Sequence, residues 1–249
     1  MRAHGNSVRS VAPGKPAETG DFLLKRRYRL VSSWLPGDID TMLDFGCGNG
    51  AQTILFADHA RKIYGLDVSE SYLNDFRKHA RELGLENSLE AVHYDGRNIP
   101  VSDGSIDCLT TFEVLEHVPD EMHALSEIYR VLAPGGLLFI TVPNRWWIFE
   151  THGADLPLLP WNRVPFFSWL PKRIHDRYAR ARIYGRDEIV RELVEAGFLI
   201  RDVMYITAPM DVVKWRRLRD FLRKTVFRGD TTRVPILATA ILAVAMKPE

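Results

Sequence analysis

The chain has 249 residues, of which 46% are hydrophobic and 26% are charged, a composition that excludes a disordered, collagen-like or coiled-coil chain. Its two cysteines, Cys47 and Cys108, are too few for a disulfide-stapled secreted domain or a Cys-rich zinc module. The charge is uneven, because residues 38–127 hold 6 Lys or Arg against 18 Asp or Glu, whereas residues 1–37 hold 7 against 2 and residues 128–249 hold 20 against 12. Basic ends can mark an anionic partner, but we favour the simpler interpretation of a solvated charged surface.

The terminal segments bear on the expected compartment. Residues 1–20 are rich in Gly, Pro, Ser and Ala and lack apolar periodicity, which predicts a disordered tail rather than a secretory signal. The uncharged run over residues 234–246 is shorter than the about 20 residues of a membrane-spanning helix, and it predicts a buried strand. We therefore expect a cytoplasmic protein with a single domain over residues 21–249.

Apolar runs and helical periodicities alternate along the first part of the chain. A first helix is predicted after residue 21 by the helical spacing of Leu24, Tyr28, Val31 and Leu35. The apolar runs that predict strands are residues 41–45, 62–66, 89–94, 106–112 and 137–142. The segments that predict the helices between them are residues 51–60, 69–83 and 119–132. Such alternation predicts an α/β protein with a parallel sheet covered by helices on both faces.

Residues 145–184 interrupt this alternation. They contain four of the six tryptophans and four prolines, and they are too long for an ordinary connection. We interpret them as an insertion or lid on the substrate side, although a second small core explains the same composition. Regular elements resume with predicted helices over residues 186–196 and 211–227 and predicted strands over residues 198–206 and 234–246.

The predicted helix over residues 211–227 carries an apolar stripe beside basic side chains. The stripe consists of Trp215, Leu218, Leu222 and Val226. Such a helix either packs its stripe on a sheet or lies on a membrane surface as a peripheral contact. We favour packing on the sheet.

The sharpest motif is Leu-Asp-Phe-Gly-Cys-Gly-Asn-Gly at residues 43–50, between a predicted strand and a predicted helix. Its glycines allow a tight turn and a close approach of the backbone to a ligand. Asp67 ends the next predicted strand, 21 residues after Gly46, where an acid can accept both hydroxyl groups of a ribose. This combination predicts a site for a nucleoside-containing cofactor.

The glycine spacing indicates which cofactor this is. Dinucleotide sites use Gly-x-Gly-x-x-Gly, whereas this chain has Gly-x-Gly-x-Gly over residues 46–50. Asp44 stands directly before it, and a carboxylate there repels a pyrophosphate but suits a positively charged group. S-adenosyl-L-methionine carries two such groups, an ammonium and a sulfonium.

Residues 41–144 resemble the class I S-adenosylmethionine-dependent methyltransferases, in the broad branch that includes the ubiquinone-biosynthesis type. The matching segments are Leu43–Gly50, Gly65–Ser69, Asp95–Gly96, Asp107–Phe112, Glu113–Val118 and Arg130–Gly136. The resemblance implies a Rossmann-like sheet of seven strands, mostly parallel with the last strand antiparallel. It also implies methyl transfer with S-adenosyl-L-methionine as the cofactor.

The resemblance further implies a cofactor site of ten residues. In chain order they are Asp44, Gly46, Gly48, Gly50, Asp67, Val68, Asp95, Gly96, Phe112 and Glu113. The glycines, with Asp44 supporting the turn, are expected to hold the methionine portion, and Asp67 to bind the ribose. Val68 and the pair at 95–96 are expected to hold the adenine, and the pair at 112–113 to line the wall near the sulfonium. We expect no metal ion.

A general base is needed only if the acceptor is a hydroxyl, and His117 is our first candidate. Glu116 beside it can influence its basicity, while the alternative is that His117 only caps the next helix or packs beneath the cofactor. His152 and Tyr184, near the two ends of the insertion, are further candidates. We expect Trp146, Trp147 and His152 to approach the methyl-transfer point.

An aromatic, Pro-rich segment over the cofactor suits a small, apolar or lipid-like acceptor. A nicotinamide-dependent oxidoreductase and a non-catalytic cofactor-binding scaffold are the alternative functions. No nucleic-acid partner is expected, because the chain shows no Asn-Pro-Pro-aromatic motif and no appended RNA-binding module. Methylation of Lys or Arg stays open, as do the acceptor atom and the oligomeric state.

Overall fold

The computed structural model describes residues 22–149, 154–156, 159–161 and 165–249, the two short inner ranges by their backbone alone. The predicted tail and His152 lie outside the described residues. The helices are α1 (Phe22–Ser32), α2 (Glu70–Glu82), α3 (Glu121–Val131), α4 (Lys172–Tyr178), α5 (Arg186–Glu195) and α6 (Arg216–Lys224). The strands are β1 (Ile39–Phe45), β2 (Ala60–Asp67), β3 (Leu89–His93), β4 (Ile106–Phe112), β5 (Leu132–Pro143), β6 (Ala154–Leu156), β7 (Leu159–Trp161), β8 (Leu199–Thr207), β9 (Thr231–Thr232) and β10 (Ala238–Met246).

Eight strands form one sheet in the order β3-β2-β1-β4-β5-β10-β8-β9. The pairs among β1 to β5 are parallel, whereas β10 pairs antiparallel with both β5 and β8. The expected Rossmann-like sheet with an antiparallel last strand is therefore confirmed. The sheet has one strand more than the seven expected, because the two-residue β9 adds to the edge beside β8. A pair of residues is too short to give an alternating pattern in the sequence.

Helices cover both faces of the sheet because side chains alternate along each strand. In β1, Leu43 and Phe45 belong to a buried cluster that includes residues of α3 and α5. Met42, directly before Leu43, points to the other face and belongs to a second cluster with residues of α1 and α2. β10 is the most deeply buried strand, with eight consecutive buried residues at its start. Its uncharged sequence is thus explained by burial within the sheet.

Side-chain caps fix the starts of the helices beside the cofactor motif. The hydroxyl of Ser69 accepts from the N–H of Tyr72 at the start of α2, as the sequence predicts. At the start of α3, Oδ1 of Asp120 accepts from the N–H of His123 at 3.0 Å. These caps set where β2 and β4 give way to helix.

The predicted helix over residues 51–60 is wrong in type. Only a 3₁₀ turn forms there, at Thr53–Phe56. Ala60 already pairs with Ile39 as the first residue of β2, so too few residues are left for a full helix.

The helix predicted over residues 211–227 is shorter in the structure, where α6 covers Arg216–Lys224. The prediction that its apolar stripe packs on the sheet is wrong. Trp215, Leu218 and Val226 have 68%, 39% and 57% of their surface exposed. Only Leu222 of the stripe packs against a buried cluster. In the described part of the chain, no helix has the length and apolar character needed to cross a bilayer.

Candidate functional site

The carboxyl ends of β1 and β4 meet where the chain order of the sheet reverses. From β1 the chain continues to β2 and β3 on one side and then returns to β4 on the other. In open α/β sheets, ligands bind in the crevice outside such a point. All ten predicted cofactor residues lie within or directly after β1, β2, β3 and β4.

The glycine loop, residues 46–50, turns sharply beside the end of β2. The loop residues with positive φ are Gly46 (78°), Gly48 (55°) and Gly50 (76°). A Cβ atom on Gly46 would overlap Cγ2 of Val114, which follows β4, so only glycine fits both this conformation and this contact. The N–H of Gly46 donates to the carbonyl oxygen of Leu66 at 2.8 Å, which ties the loop to β2.

Asp67 joins the glycine loop to the start of α2. Its Oδ2 accepts from the N–H of Gly48 at 2.9 Å, and its Oδ1 accepts from the N–H of Ser69 at 2.8 Å. A carboxylate oxygen has two lone pairs, so each oxygen can accept a second hydrogen bond. The half-buried carboxylate is thus fixed in place and able to take two hydroxyl donors.

Asp44 lies inside the protein behind the glycine loop. Thr53 donates its hydroxyl hydrogen bond to Oδ2 at 2.5 Å, and Thr110 donates to Oδ1 at 2.9 Å. Burial raises the pKa of Asp44 to about 6, although the two hydroxyl groups favour the charged form. Asp44 thereby joins β1, β4 and the 3₁₀ turn behind the glycine loop.

Val68, Asp95 and Gly96 form the outer end of the site. Val68 is half exposed, and a Cβ atom on Gly96 would lie 3.8 Å from its Cγ1, so the ends of β2 and β3 are in contact. Oδ1 of Asp95 accepts from the N–H groups of Arg97 and Asn98 at 2.8 and 3.1 Å. These hydrogen bonds hold the pKa of Asp95 below its usual value. The result is an apolar surface with an ionised acceptor at its edge.

Phe112 and Glu113 end β4 next to a buried arginine that the sequence analysis did not identify. Nη2 of Arg27 lies 2.9 Å from Oε1 of Glu113, and its guanidinium lies 5.7 Å from the ring centroid of Phe112. Glu113 has a positive φ of 57°, and its N–H donates to the carbonyl oxygen of Thr141 at 3.1 Å. A strained non-glycine residue at a strand end is a feature that clusters at functional sites.

Arg27 is held there because α1 is fixed across the carboxyl ends of the strands. The neighbouring Arg26 is fully buried, and it donates to the carbonyl oxygens of Thr207, Ala208 and Phe227 at 2.5, 3.0 and 2.6 Å. The sequence held a signal for Arg27, which stands three residues after Leu24 and four before Val31. That spacing places it on the buried face of α1.

His117 lies at the end of a 3₁₀ turn, Leu115–His117, directly after β4. The residue as a whole is half-buried and both ring nitrogens are buried, whereas Glu116 beside it is fully buried. Burial, followed by the nearby charge of Glu113, raises the pKa of Glu116 well above its usual range. The neutral acid is thereby favoured, so Glu116 is a weaker electrostatic partner for His117 than the sequence analysis expected.

Both ends of the insertion lie at the carboxyl end of β5. The N–H of Tyr184 donates to the carbonyl oxygen of Pro143 at 3.0 Å, and the N–H of Arg145 donates to that of Tyr184 at 3.0 Å. Arg182 also donates to the carbonyl oxygens of Val118 and Pro119 at 2.6 and 3.2 Å. The returning end of the insertion is thus fastened to the segment directly after His117.

Not every aromatic or titratable residue predicted in the insertion faces a ligand. Trp147 is 5% exposed and packs with Met210 and Phe227, so the expectation that it approaches the methyl-transfer point is wrong. Its apolar ring is buried more fully in that cluster than it would be at an open cleft. Tyr184 is buried, and its hydroxyl donates to Glu121. Among the described residues, no three or more His, Cys, Asp or Glu side chains are grouped to hold a metal ion.

Comparison with known proteins finds methyltransferases that are similar to this chain. Residues 43–140 match a family model described as a methyltransferase domain. A Mycolicibacterium smegmatis protein named "Probable S-adenosylmethionine-dependent methyltransferase" is 35% identical over 66% of this chain and 53% of that protein. The ubiquinone biosynthesis O-methyltransferase of Acinetobacter baylyi is 30% identical over 65% of this chain and 64% of that protein. The chain therefore spans less than two thirds of the length of these curated relatives.

Solved structures are similar over most of the chain. An S-adenosylmethionine-dependent methyltransferase from Mesorhizobium loti matches 90% of this chain and 100% of its own, with a TM-score of 0.60 and 19% identity. At this identity the similarity establishes the fold, and it extends beyond the segment that carries the sequence motifs.

Proposed function

We propose that this chain transfers a methyl group from S-adenosyl-L-methionine to a small, apolar or lipid-like acceptor, since it carries a segment that matches a methyltransferase domain and is similar to S-adenosylmethionine-dependent methyltransferases. The observation that carries the proposal is the carboxylate of Asp67, fixed by the N–H groups of Gly48 and Ser69 at the point where the sheet order reverses.

The donor and acceptor groups of the site fit this cofactor. Asp67 supplies acceptors for the two ribose hydroxyls, and Asp95 supplies one for an adenine amino group beside the apolar surface of Val68 and Gly96. Gly46, Gly48 and Gly50 bring the backbone close to the methionine portion. The buried charge of Asp44 favours a positively charged group without touching it.

The cofactor, when bound, supplies a sulfonium methyl group that is already electrophilic. The residues of this chain then have to align the acceptor with that methyl group and exclude water, which can contribute several kcal/mol. Phe112 and Glu113 are placed for the wall of this space, because they end the strand beside the glycine loop. Arg27 fixes the direction of the Glu113 carboxylate.

His117 is the proposed general base for a hydroxyl acceptor. It follows the strand end that carries Phe112 and Glu113, and Arg182 fastens the segment after it. The insertion is the proposed cover of the acceptor, with His152 as a further candidate for proton transfer. The support is the position of its two ends beside Pro143.

Two measurements test the proposal. Titration calorimetry should show binding of S-adenosyl-L-methionine and no binding of NAD, whereas NAD binding would support the oxidoreductase alternative. Cofactor with a tritiated methyl group should then label an organic-extractable small molecule in a cell extract. Label in the aqueous small molecules, the RNA or the protein would contradict the acceptor class, and binding without any transfer would support the scaffold alternative.

A further inference from the structure

α6 and the residues around it present an apolar face to solvent. Trp215 and Phe221 are 68% and 61% exposed, and Leu218 and Val226 are also exposed. No residue of α6 is buried. Single exposed apolar side chains are ordinary, but four within twelve residues form a patch that marks an interaction surface.

The same segment is strongly basic. Residues 211–228 hold seven Lys or Arg against two Asp. Both aspartates are paired within the segment, Asp220 with Arg216 at 3.8 Å and Asp211 with Arg223 at 2.6 Å. In the described ranges no ion pair forms at the remaining basic side chains of the outer face, which are Lys214, Arg217, Lys224 and Arg228. Its positive charge is therefore uncompensated.

The basic and apolar side chains share one side of the helix. Within α6, the positions of Arg217, Leu218, Phe221 and Lys224 follow one another at steps of three residues or directly adjoin. Residues at this spacing line one face of an α-helix. We call this face, together with Lys214 and Trp215 directly before the helix, the α6 surface.

A second group of exposed aromatic side chains begins next to a residue of the cluster that α6 contacts. Trp147 packs in the same buried cluster as Leu222 of α6, and its neighbour Trp146 is half exposed. Nε1 of Trp169 donates to the carbonyl oxygen of Trp146 at 3.2 Å, and its ring lies 5.1 Å from that of the exposed Phe166. Both groups thus lie near the carboxyl ends of the strands, where the cofactor residues also lie.

We propose that the α6 surface docks on an anionic lipid bilayer, with α6 lying in the plane of the headgroups. Basic side chains flanking Trp, Phe and Leu are the features of helices that bind bilayer surfaces. Each Lys or Arg near an anionic surface strengthens binding. Exposed aromatic rings favour the membrane interface. Docking of a second copy through this face would place like charges opposite each other, which opposes self-association.

This inference does not rest on methyl transfer, because docking is measured without cofactor or turnover. The test is sedimentation with vesicles of phosphatidylglycerol and phosphatidylcholine, compared with vesicles of phosphatidylcholine alone. The protein should bind the mixed vesicles at about 0.1 M salt and dissociate at about 1 M salt, where charges are screened within about 3 Å. Equal binding to both kinds of vesicle, or binding to neither, would overturn the proposal.

Two sets of variants separate the apolar from the electrostatic contribution. The double variant Leu218→Ser, Phe221→Ser and the triple variant Lys214→Glu, Arg217→Glu, Lys224→Glu should each weaken binding about tenfold or more. Matched controls come from exposed residues elsewhere: Val194→Ser with Leu199→Ser, and Arg81→Glu with Arg201→Glu. These should bind as the unmodified protein does. Circular dichroism melting verifies that every variant is folded.

The other occupants of this surface give different results. Binding of a poly(U) oligonucleotide at concentrations where vesicles do not sediment the protein would show a nucleic-acid surface instead. Dimers in sedimentation velocity that dissociate in the Leu218→Ser, Phe221→Ser variant would show a second copy on the surface. Either result overturns the proposal, while leaving the cofactor site unaffected.

Discussion

The main-chain N–H of Gly48 donates to Oδ2 of Asp67 at 2.9 Å, so the protein itself joins the loop after β1 to the acid that ends β2. The second oxygen of Asp67 is fixed by Ser69. Groups that are already in place lose little conformational freedom when a ligand binds, which favours affinity. Substitution of Asp67 is therefore the most direct test of the cofactor site.

Replacing Asp67 should weaken cofactor binding. Asp67→Ala removes the acceptors of both ribose hydroxyls and releases the N–H of Gly48, so we expect the Kd for S-adenosyl-L-methionine to rise about 10- to 100-fold. Asp67→Asn keeps one acceptor, so its Kd should lie between those of the unmodified protein and Asp67→Ala. Titration calorimetry measures both, with Asp75→Ala on the exposed side of α2 as the control. An unchanged Kd in Asp67→Ala would remove the assignment of the ribose site.

Gly46→Ala should destabilise the fold. A Cβ atom at position 46 would overlap Val114, and the φ of 78° is unfavourable for alanine. Together these two effects are expected to lower the free energy of unfolding by about 2–4 kcal/mol. Gly37→Ala is the matched control, since a Cβ atom at Gly37 has no atom within 4 Å. Urea unfolding compares the two, and equal stabilities would show that the loop conformation is not constrained.

Asp44 should make stability depend on pH. Its pKa is about 6 in the folded protein against an ordinary value of 3.8, so the folded state holds the proton more tightly. Stability should therefore fall as pH rises from about 4 to about 6, by about 3 kcal/mol in total, and stay reduced above that range. Urea unfolding at several pH values should show that Asp44→Asn reduces this slope, whereas the exposed control Asp58→Asn keeps it. The slope that remains in Asp44→Asn belongs to other groups such as Glu116, whose pKa is also raised. A slope in Asp44→Asn as steep as that of the unmodified protein would contradict the assignment.

The pair of Arg27 and Glu113 should be energetically coupled. Arg27→Met leaves Glu113 beside Glu116 without its cation, so we expect a loss of about 2–3 kcal/mol in unfolding free energy. The double variant with Glu113→Gln should lose less than the sum of the two single variants, by at least about 1 kcal/mol. Arg29 lies on the same helix as Arg27 and forms a more exposed pair with Asp230. Arg29→Met should therefore lose less than about 1 kcal/mol. Additive losses would show that the pair does not interact.

The sequence predicted the order of elements and the cofactor motif because both depend on local patterns. The resemblance of residues 41–144 is confirmed by the family match over residues 43–140. The alternation of Leu43, Met42 and Phe45 between two cores follows directly from the strand period. These features need no knowledge of distant contacts.

What could not be predicted depends on contacts between distant segments. The stripe of α6 has helical spacing, but periodicity does not show whether a buried surface is available to cover it, and only Leu222 is packed. The sequence around Trp147 does not show whether its ring lines a ligand site or packs in a small core with Phe227. Arg27 meets Glu113 across 86 positions of the chain, a pairing that only the folded sheet creates.

His117 should affect turnover and its pH dependence without affecting cofactor affinity. If its imidazole takes the acceptor proton, His117→Ala should lower kcat by about 10²- to 10⁴-fold, and the acidic limb of the rate profile should disappear. The exposed His123→Ala on α3 is the control, and it should keep both the rate and the profile.

A structural role predicts another outcome: His117→Ala would lower the melting temperature and leave the shape of the pH profile unchanged. Because the N–H of His117 donates to the carbonyl oxygen of Val114 within the 3₁₀ turn, and that main-chain bond survives in the variant, the turn should persist and the two roles can be separated. If His117→Ala keeps the wild-type rate and pH profile, His117 is not the general base. Another group then accepts the proton, or the acceptor needs no base.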